Sequence, residues 1–123
     1  MNLKILDGMY SICRLDPSCS IPNWISQSHF FSISRSEDEL SVVCEDHLVP
    51  EGIKAERAWR LIKVEGPLDF CLTGVLSSLA KPLAECEISI FAISTFDTDY
   101  LLVKTEKLQS AKEILEGSGF VFI

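Results

Sequence analysis

Two segments hold the residues best suited to binding chemistry: Lys63-Val64-Glu65-Gly66-Pro67-Leu68-Asp69-Phe70 and Ile93-Ser94-Thr95-Phe96-Asp97-Thr98-Asp99-Tyr100. The first reads as a strand, a Gly-Pro turn and the start of a helix. The second reads as a strand, an acidic loop and a return strand. A helix start offers backbone N–H groups and the positive end of the helix dipole to an anion. Gly66 and Gly74 carry no side chain, so a ligand can approach the backbone there. The carboxylate of Asp99 or Asp97, or the Thr95 carbonyl, can accept from a cation. A free amino acid carries both charges. Two charge-assisted sets, each contributing about 1.5–3 kcal/mol, would orient such a zwitterion. Leu68, Phe70 and Phe96 could line a side-chain pocket. The same residues also have plainer roles: Asp97-Thr98-Asp99 as an ordinary turn, Asp69 as a helix cap, Gly74 as a point of close packing.

Composition narrows the alternatives. The chain has 123 residues, enough for one domain or two very small ones, and is 47% hydrophobic, which argues against disorder. A net charge of −7 without a basic stripe disfavours nucleic acid and anionic membranes. No apolar run is long enough to cross a bilayer, and Asp7 interrupts what would be a leader's apolar core. The expectation is a soluble, cytoplasmic protein. Five cysteines without a Cys-x-x-Cys pair, and two histidines, argue against zinc and thioredoxin-type chemistry, and no cofactor is implied. The thiols read as reduced and mostly buried, with Cys19 in a polar stretch. Glu45-Asp46-His47 are adjacent and cannot all face one ion. Neither His29 nor His47 has a nucleophile partner by motif, and no glycine-rich phosphate cradle exists. The chain is read as not an enzyme.

The elements that must position these residues are clearest in the C-terminal half. Trp59 to Val64 is a strand. A helix capped by Asp69 follows, with Leu72, Val75, Leu76, Leu79, Leu83 and Cys86 on one face and Pro82 kinking its last turn. Ile88 to Ser94 and Tyr100 to Lys104 are strands around the Asp97-Thr98 turn. Thr105 caps a second helix with Leu108, Ala111, Ile114 and Leu115 inward; Gly117 ends it, and Phe120 to Ile123 is the last strand. The order β-α-β-β-α-β is the ferredoxin-like arrangement, with first and third strands central and both helices on one face. That topology puts the two segments at one edge.

The N-terminal half repeats the order with the helices worn down. Leu3 to Leu15 is strand-like with a Gly8 interruption, and 22–25 is a helical turn. Phe30–Arg35 and Leu40–Glu45 flank the turn Ser36-Glu37-Asp38-Glu39, and 46–52 is a loop or single turn. Lys54-Ala55-Glu56-Arg57 is the only junction, giving halves 1–56 and 57–123. The strand around 57–64 serves both. Phe30, Phe31, Phe70 and Phe91 read as core; Trp24, beside Pro22, is an interface candidate.

These strings resemble the ACT domain family, in the branch of small tandem-ACT proteins related to aspartate kinase regulatory regions and cytosolic arginine sensors. The resemblance spans essentially the whole chain. It is strongest over Trp59–Phe70, Leu72–Leu76, Pro82–Glu85 and Ile88–Tyr100, and looser at Phe30–Ser34, Leu40–Glu45 and Val49-Pro50. It implies an α+β fold: a ferredoxin-like βαββαβ ACT domain preceded by a degenerate ACT-like, β-rich half. It implies a non-catalytic regulatory or sensor module that holds an amino acid at a domain or dimer interface. The ligand wall would be Gly66, Pro67, Leu68 and Asp69, with Gly74, Thr95, Phe96 and Asp99, while Ser89 and Ile90 would face the ligand from the opposing domain. The arginine sensors carry an acid two positions before the helix glycine. Leu72 stands there in this chain, so a guanidinium would lack its fork partner.

The resulting expectation is a homodimer that binds a small amino acid or related metabolite. Ligand would favour one domain orientation, which a protein partner reads. Edge strands motivate the dimer. The alternative is a pure interaction module without ligand.

Overall fold

The computed structural model describes residues 1–66, 68 and 73–123. The chain forms two compact units, one of residues 8–59 and one of residues 1–7 with 60–123. The fold is α+β.

The unit 8–59 contains β2 (Tyr10–Leu15), β3 (Ser32–Arg35), β4 (Leu40–Glu45) and the first part of β5 (Lys54–Val64). Single helical turns at Asn23–Gln27 and Asp46–Leu48 stand where a full ferredoxin-like unit has helices. The sheet order β3-β4-β2-β5 is the expected one, with the fourth strand beside the first. Ser36 organises the β3–β4 turn: its N–H donates to the Glu39 carbonyl at 2.9 Å, and its hydroxyl accepts from the Asp38 and Glu39 amides, both at 3.2 Å. Cys13, Ile25, Leu40, Val42, Cys44 and Val49 form the core, against which Trp24 packs half-buried. Trp24 is thus committed to this core. Arg57 reaches the Asp46 carboxylate at 3.3 Å and the Val49 carbonyl at 3.2 Å, pinning the turn that replaces the second helix. Tyr10 is buried and meets Phe30 edge-on at 6.3 Å.

The expected junction at 54–57 is instead the start of β5. Its residues alternate between exposed and half-buried, so the charges of Lys54 and Glu56 are those of a strand's solvent face. A bulge between Tyr10 and Ile12 on β2 falls opposite the stretch Glu56 to Trp59, where Ala58 takes a left-handed φ of 64°.

The other unit holds β1 (Asn2–Ile5), the rest of β5, α1 (Val75–Glu85), β6 (Ile90–Ser94), β7 (Asp99–Lys104), α2 (Leu108–Gly117) and β8 (Val121–Phe122). The segment 3–15, read as one interrupted strand of the first half, is therefore two strands, of which β1 belongs here. Its placement also modifies the expected order. β7 lies between β5 and β6, but β1 sits between β5 and β8, antiparallel to β5 and parallel to β8. Leu3, fully buried in register with Val64, supplies the apolar contact at that place in the sheet.

Both helices cover one face. Leu3, Ile62, Val64, Leu101 and Val103 from the sheet pack with Val75, Leu79 and Leu83 of α1 and Ala111 and Leu115 of α2. The expected helix faces hold with local differences. Cys86 caps the end of α1 and is exposed. Thr105 opens a separate 3-10 turn, Thr105–Lys107, and α2 starts after Lys107 with no side-chain cap. Leu72 and Phe70 lie outside the described residues. Phe31, expected in the core, is 44% exposed.

Candidate functional site

The hairpin between β6 and β7 is closed by its own side chains. The Thr95 amide donates to the Thr98 carbonyl at 2.8 Å, and the Thr98 amide donates to Thr95 Oγ1 at 3.3 Å. The Ser94 hydroxyl donates to Asp99 Oδ1 at 2.6 Å across the β6–β7 register pair. Thr98 is 4% exposed, and its hydroxyl donates to the Val64 carbonyl, the last residue of β5, at 2.5 Å. The Leu68 amide donates to the Asp97 carbonyl at 2.6 Å. The turn after β5 and the β6–β7 turn therefore meet, as their topology requires.

Gly66 is the close point of that meeting. A Cβ there would lie 3.0 Å from the Leu68 nitrogen, 3.1 Å from the Asp97 carbonyl oxygen and 3.3 Å from Thr98 Cβ. Glycine is needed because the two turns touch backbone to backbone.

Beside this contact is a hollow of about 280 Å³, with Leu68, Gly74, Val75 and Leu76 on one wall and residues 94–99 on the other. Gly74 is the N-cap of α1 at φ 79°, a left-handed conformation suited to glycine, and not an interior helix residue as expected. It supplies no capping side chain, and the first turn of α1 contains no acid. The opening amides of a helix lack intrahelical partners, and the helix dipole adds positive potential there. The facing wall includes two acids, Asp97 and Asp99. The hollow is thus polarised, with donors on the helix side, acceptors on the hairpin side, and Leu68, Val75 and Leu76 as apolar surface. Phe96, 77% exposed, stands at the rim.

Of the residues singled out from sequence, Leu68, Gly74, Thr95, Phe96 and Asp99 line the hollow. Gly66 supports it from the turn contact. Pro67 and Asp69 lie outside the described residues. Ser89 and Ile90 are not brought to it: Ile90 pairs with Val103 at one end of β6, whereas Ser94 pairs with Asp99 at the other. Four strand residues at about 3.4 Å each separate them by roughly 13 Å. Sequence reasoning missed Val75, Leu76, Ser94 and Thr98 as members of the site. The first two follow from the helix starting later than the apolar pattern suggested. Thr98 reads as a solvated turn residue, and only the Val64 carbonyl reveals its role.

Among the described residues there is no group of histidine, cysteine and acidic side chains arranged to hold a metal ion. None of their helices is long and apolar enough to cross a membrane.

A curated relative, the human cytosolic arginine sensor for mTORC1 subunit 1, is 32% identical over 95 residues, covering 71% of this chain and 29% of the relative. The mouse protein of the same name is 30% identical over the same length. The chain thus spans less than a third of these relatives. Among solved structures, a protein from Agobacterium tumefaciens superposes with a TM-score of 0.94 at 39% identity, covering 99% of this chain and 91% of that one. The ligand-free regulatory subunit of aspartate kinase from Thermus thermophilus superposes at 0.62 with 9% identity over 90% of this chain and 91% of that one, a likeness of fold. A family profile described as an N-terminal domain matches residues 8–52, and the ACT domain profile matches residues 54–117. The match over more than half its length establishes that this chain belongs to the ACT domain family.

Proposed function

We propose that the chain is a non-catalytic regulatory module that binds a free amino acid, or a metabolite with the same paired charges, in the hollow between α1 and the β6–β7 turn. The observation that carries this reading is that α1 opens on Gly74, which supplies no side-chain cap, with no acid in its first turn, on the wall opposite Asp97 and Asp99 of a metabolite-sized hollow. The α-carboxylate would meet the opening amides of α1, and the α-ammonium would meet Asp99. Ser94 already donates to one Asp99 oxygen, which orients the carboxylate and leaves its second oxygen for the ligand. Leu68, Val75, Leu76 and Phe96 favour an apolar ligand side chain. The curated relatives are named as arginine sensors. Among the described residues, the helix-side wall of Leu68, Gly74, Val75 and Leu76 carries no acid for a guanidinium. By the family resemblance Pro67 and Asp69 would belong to this wall as well; both lie outside the described residues.

Binding would favour one state of a cytoplasmic homodimer, and a protein partner would read that state. The two halves, ACT-like in strand order, would form the regulatory unit. Calorimetry against the twenty amino acids tests the reading. Heat of binding for at least one, lost in Asp99→Asn, is the expected result. A folded chain silent to all twenty rejects it.

A second reading has one observation in its favour. Thr98 and Asp99 are partly satisfied within their own turn, as in a hairpin that only supports an interface. Under that reading Asp99→Asn leaves both ligand response and assembly unchanged.

A further inference from the structure

Four polar side chains line up across the sheet of the unit of residues 8–59. The register sets Ser34 against Ser41, Ser41 against Arg14, and Arg14 against Lys54. Directly opposed residues share a face, so these four form one row across β3, β4, β2 and β5. Their chain neighbours Ile33, Val42, Cys13 and Ala55 belong to the core or pack against it, which puts the row on the opposite face. Ser34, Arg14 and Lys54 are exposed there and Ser41 is half-buried. With strands about 4.8 Å apart, the row is roughly 14 Å long.

The row has an electrostatic cost. Arg14 and Lys54 are like charges directly opposite each other, an arrangement that destabilises a sheet. The chain has 18 acids against 11 bases, yet no acid stands in the row. Asp16, just beyond β2, accepts from the Ser18 amide at 2.9 Å and the Ser18 hydroxyl at 2.6 Å. Glu56 lies in the next row, opposite Ile12. Arg14 Nη2 donates to the Asp38 carbonyl at 2.9 Å, which fixes one arm of the guanidinium and leaves further N–H groups of the fork. Among the described residues, no side-chain hydrogen bond or ion pair engages Ser34, Ser41 or Lys54.

We propose that this row binds the diphosphate group of a small molecule. A guanidinium and an ammonium side by side neutralise one phosphoryl group, the first as a planar fork and the second as a point charge. The two serine hydroxyls continue the row as neutral donors to the next phosphoryl group. Two cations are too few for a tract of nucleic acid, whose binding rests on many phosphate contacts. A bound anion turns the opposed charges from a cost into a clamp. The row lies in the unit of residues 8–59 and the hollow is lined from the other unit, so this site is independent of the amino acid reading.

Calorimetry of the parent chain with sodium pyrophosphate tests it, against sodium chloride at equal ionic strength. Pyrophosphate should bind where chloride does not. ADP is titrated in parallel: tighter binding of ADP makes a nucleotide the source of the diphosphate, and tighter binding of pyrophosphate makes it the free anion. Lys54→Met should weaken pyrophosphate binding at least about tenfold, the loss of a charged hydrogen-bond partner. Ser34→Ala and Ser41→Ala should each weaken it about 2–10-fold. Lys4→Met removes the lysine that opposes Lys63 in the other unit and should leave the affinity unchanged. Circular dichroism checks that each variant is folded. A parent chain that binds neither pyrophosphate nor ADP, binding that survives in folded Lys54→Met, or an equal loss in Lys4→Met overturns the proposal.

Discussion

The Thr98 hydroxyl donates to the Val64 carbonyl at 2.5 Å, joining residues 34 apart in sequence and fixing the β6–β7 turn to the end of β5. Val64 and Thr98 are both buried, so neither partner has water as a substitute. Thr98→Val keeps the shape and removes the donor. It should lower unfolding free energy by about 1–3 kcal/mol, the cost of leaving a buried acceptor unsatisfied. Urea denaturation measures it. If the proposed site is correct, the same variant should also weaken amino acid binding, because it loosens one wall relative to the other.

Gly66 and Gly117 make opposite predictions for one substitution. A methyl at Gly66 would press against the Leu68 nitrogen at 3.0 Å and the Asp97 oxygen at 3.1 Å, both backbone atoms. Gly66→Ala should destabilise by about 1–3 kcal/mol, as overpacking does. Gly117 is the last residue of α2 with open space around it. Gly117→Ala should stabilise by about 0.4–1 kcal/mol through the reduced freedom of the unfolded chain. Paired melts of the two variants decide both.

Leu79 lies fully buried at the centre of the α1 face, packed in the cluster that joins both helices to the sheet. Leu79→Ala should cost about 2–5 kcal/mol. Ala84→Leu, at an exposed position on the same helix, should change stability by less than about 0.5 kcal/mol. Equal effects in the two variants would contradict the packing described.

Burial raises the Tyr10 hydroxyl from its ordinary pKa of 10.0 to about 12, aided by the nearby charges of Glu45 and Cys44. The folded state holds its proton longer than the unfolded state. Its contribution to stability is therefore full below pH 10 and is lost as pH rises from 10 to about 12. In an alkaline absorbance titration, Tyr10→Phe should remove the component with a midpoint near 12, and the fall in stability across that interval should become shallower.

Much of this architecture was legible in the chain because the signals were local. Leu79 and Leu83 recur at helical spacing, Ala111 and Leu115 do the same, and both helices pack where that spacing puts them. The Gly66 and Asp97–Asp99 turns followed from topology alone. What stayed hidden depends on distant partners. Nothing near Leu3 says that its strand inserts between β5 and β8, since an alternating pattern specifies a face and not a neighbour. Lys54 and Glu56 read as a junction between halves because the outer side of a strand is as charged as a connecting segment. The site was legible as two loops and illegible as a volume. Gly74 announces an unusual backbone, but whether it sits inside a helix or opens one is decided by packing.

The position of β1 sets an order of events during synthesis. Residues 2–5 are synthesised before β5, and β8, which lines their other side, follows later than either. Between those moments β1 can find β5 but must leave one flank bare. Every nascent chain therefore passes through a stage with an open sheet margin that closes only when Phe122 arrives. Sequence separations this long slow folding. Removing residues 2–5 or residues 121–122 should keep that margin from closing at all.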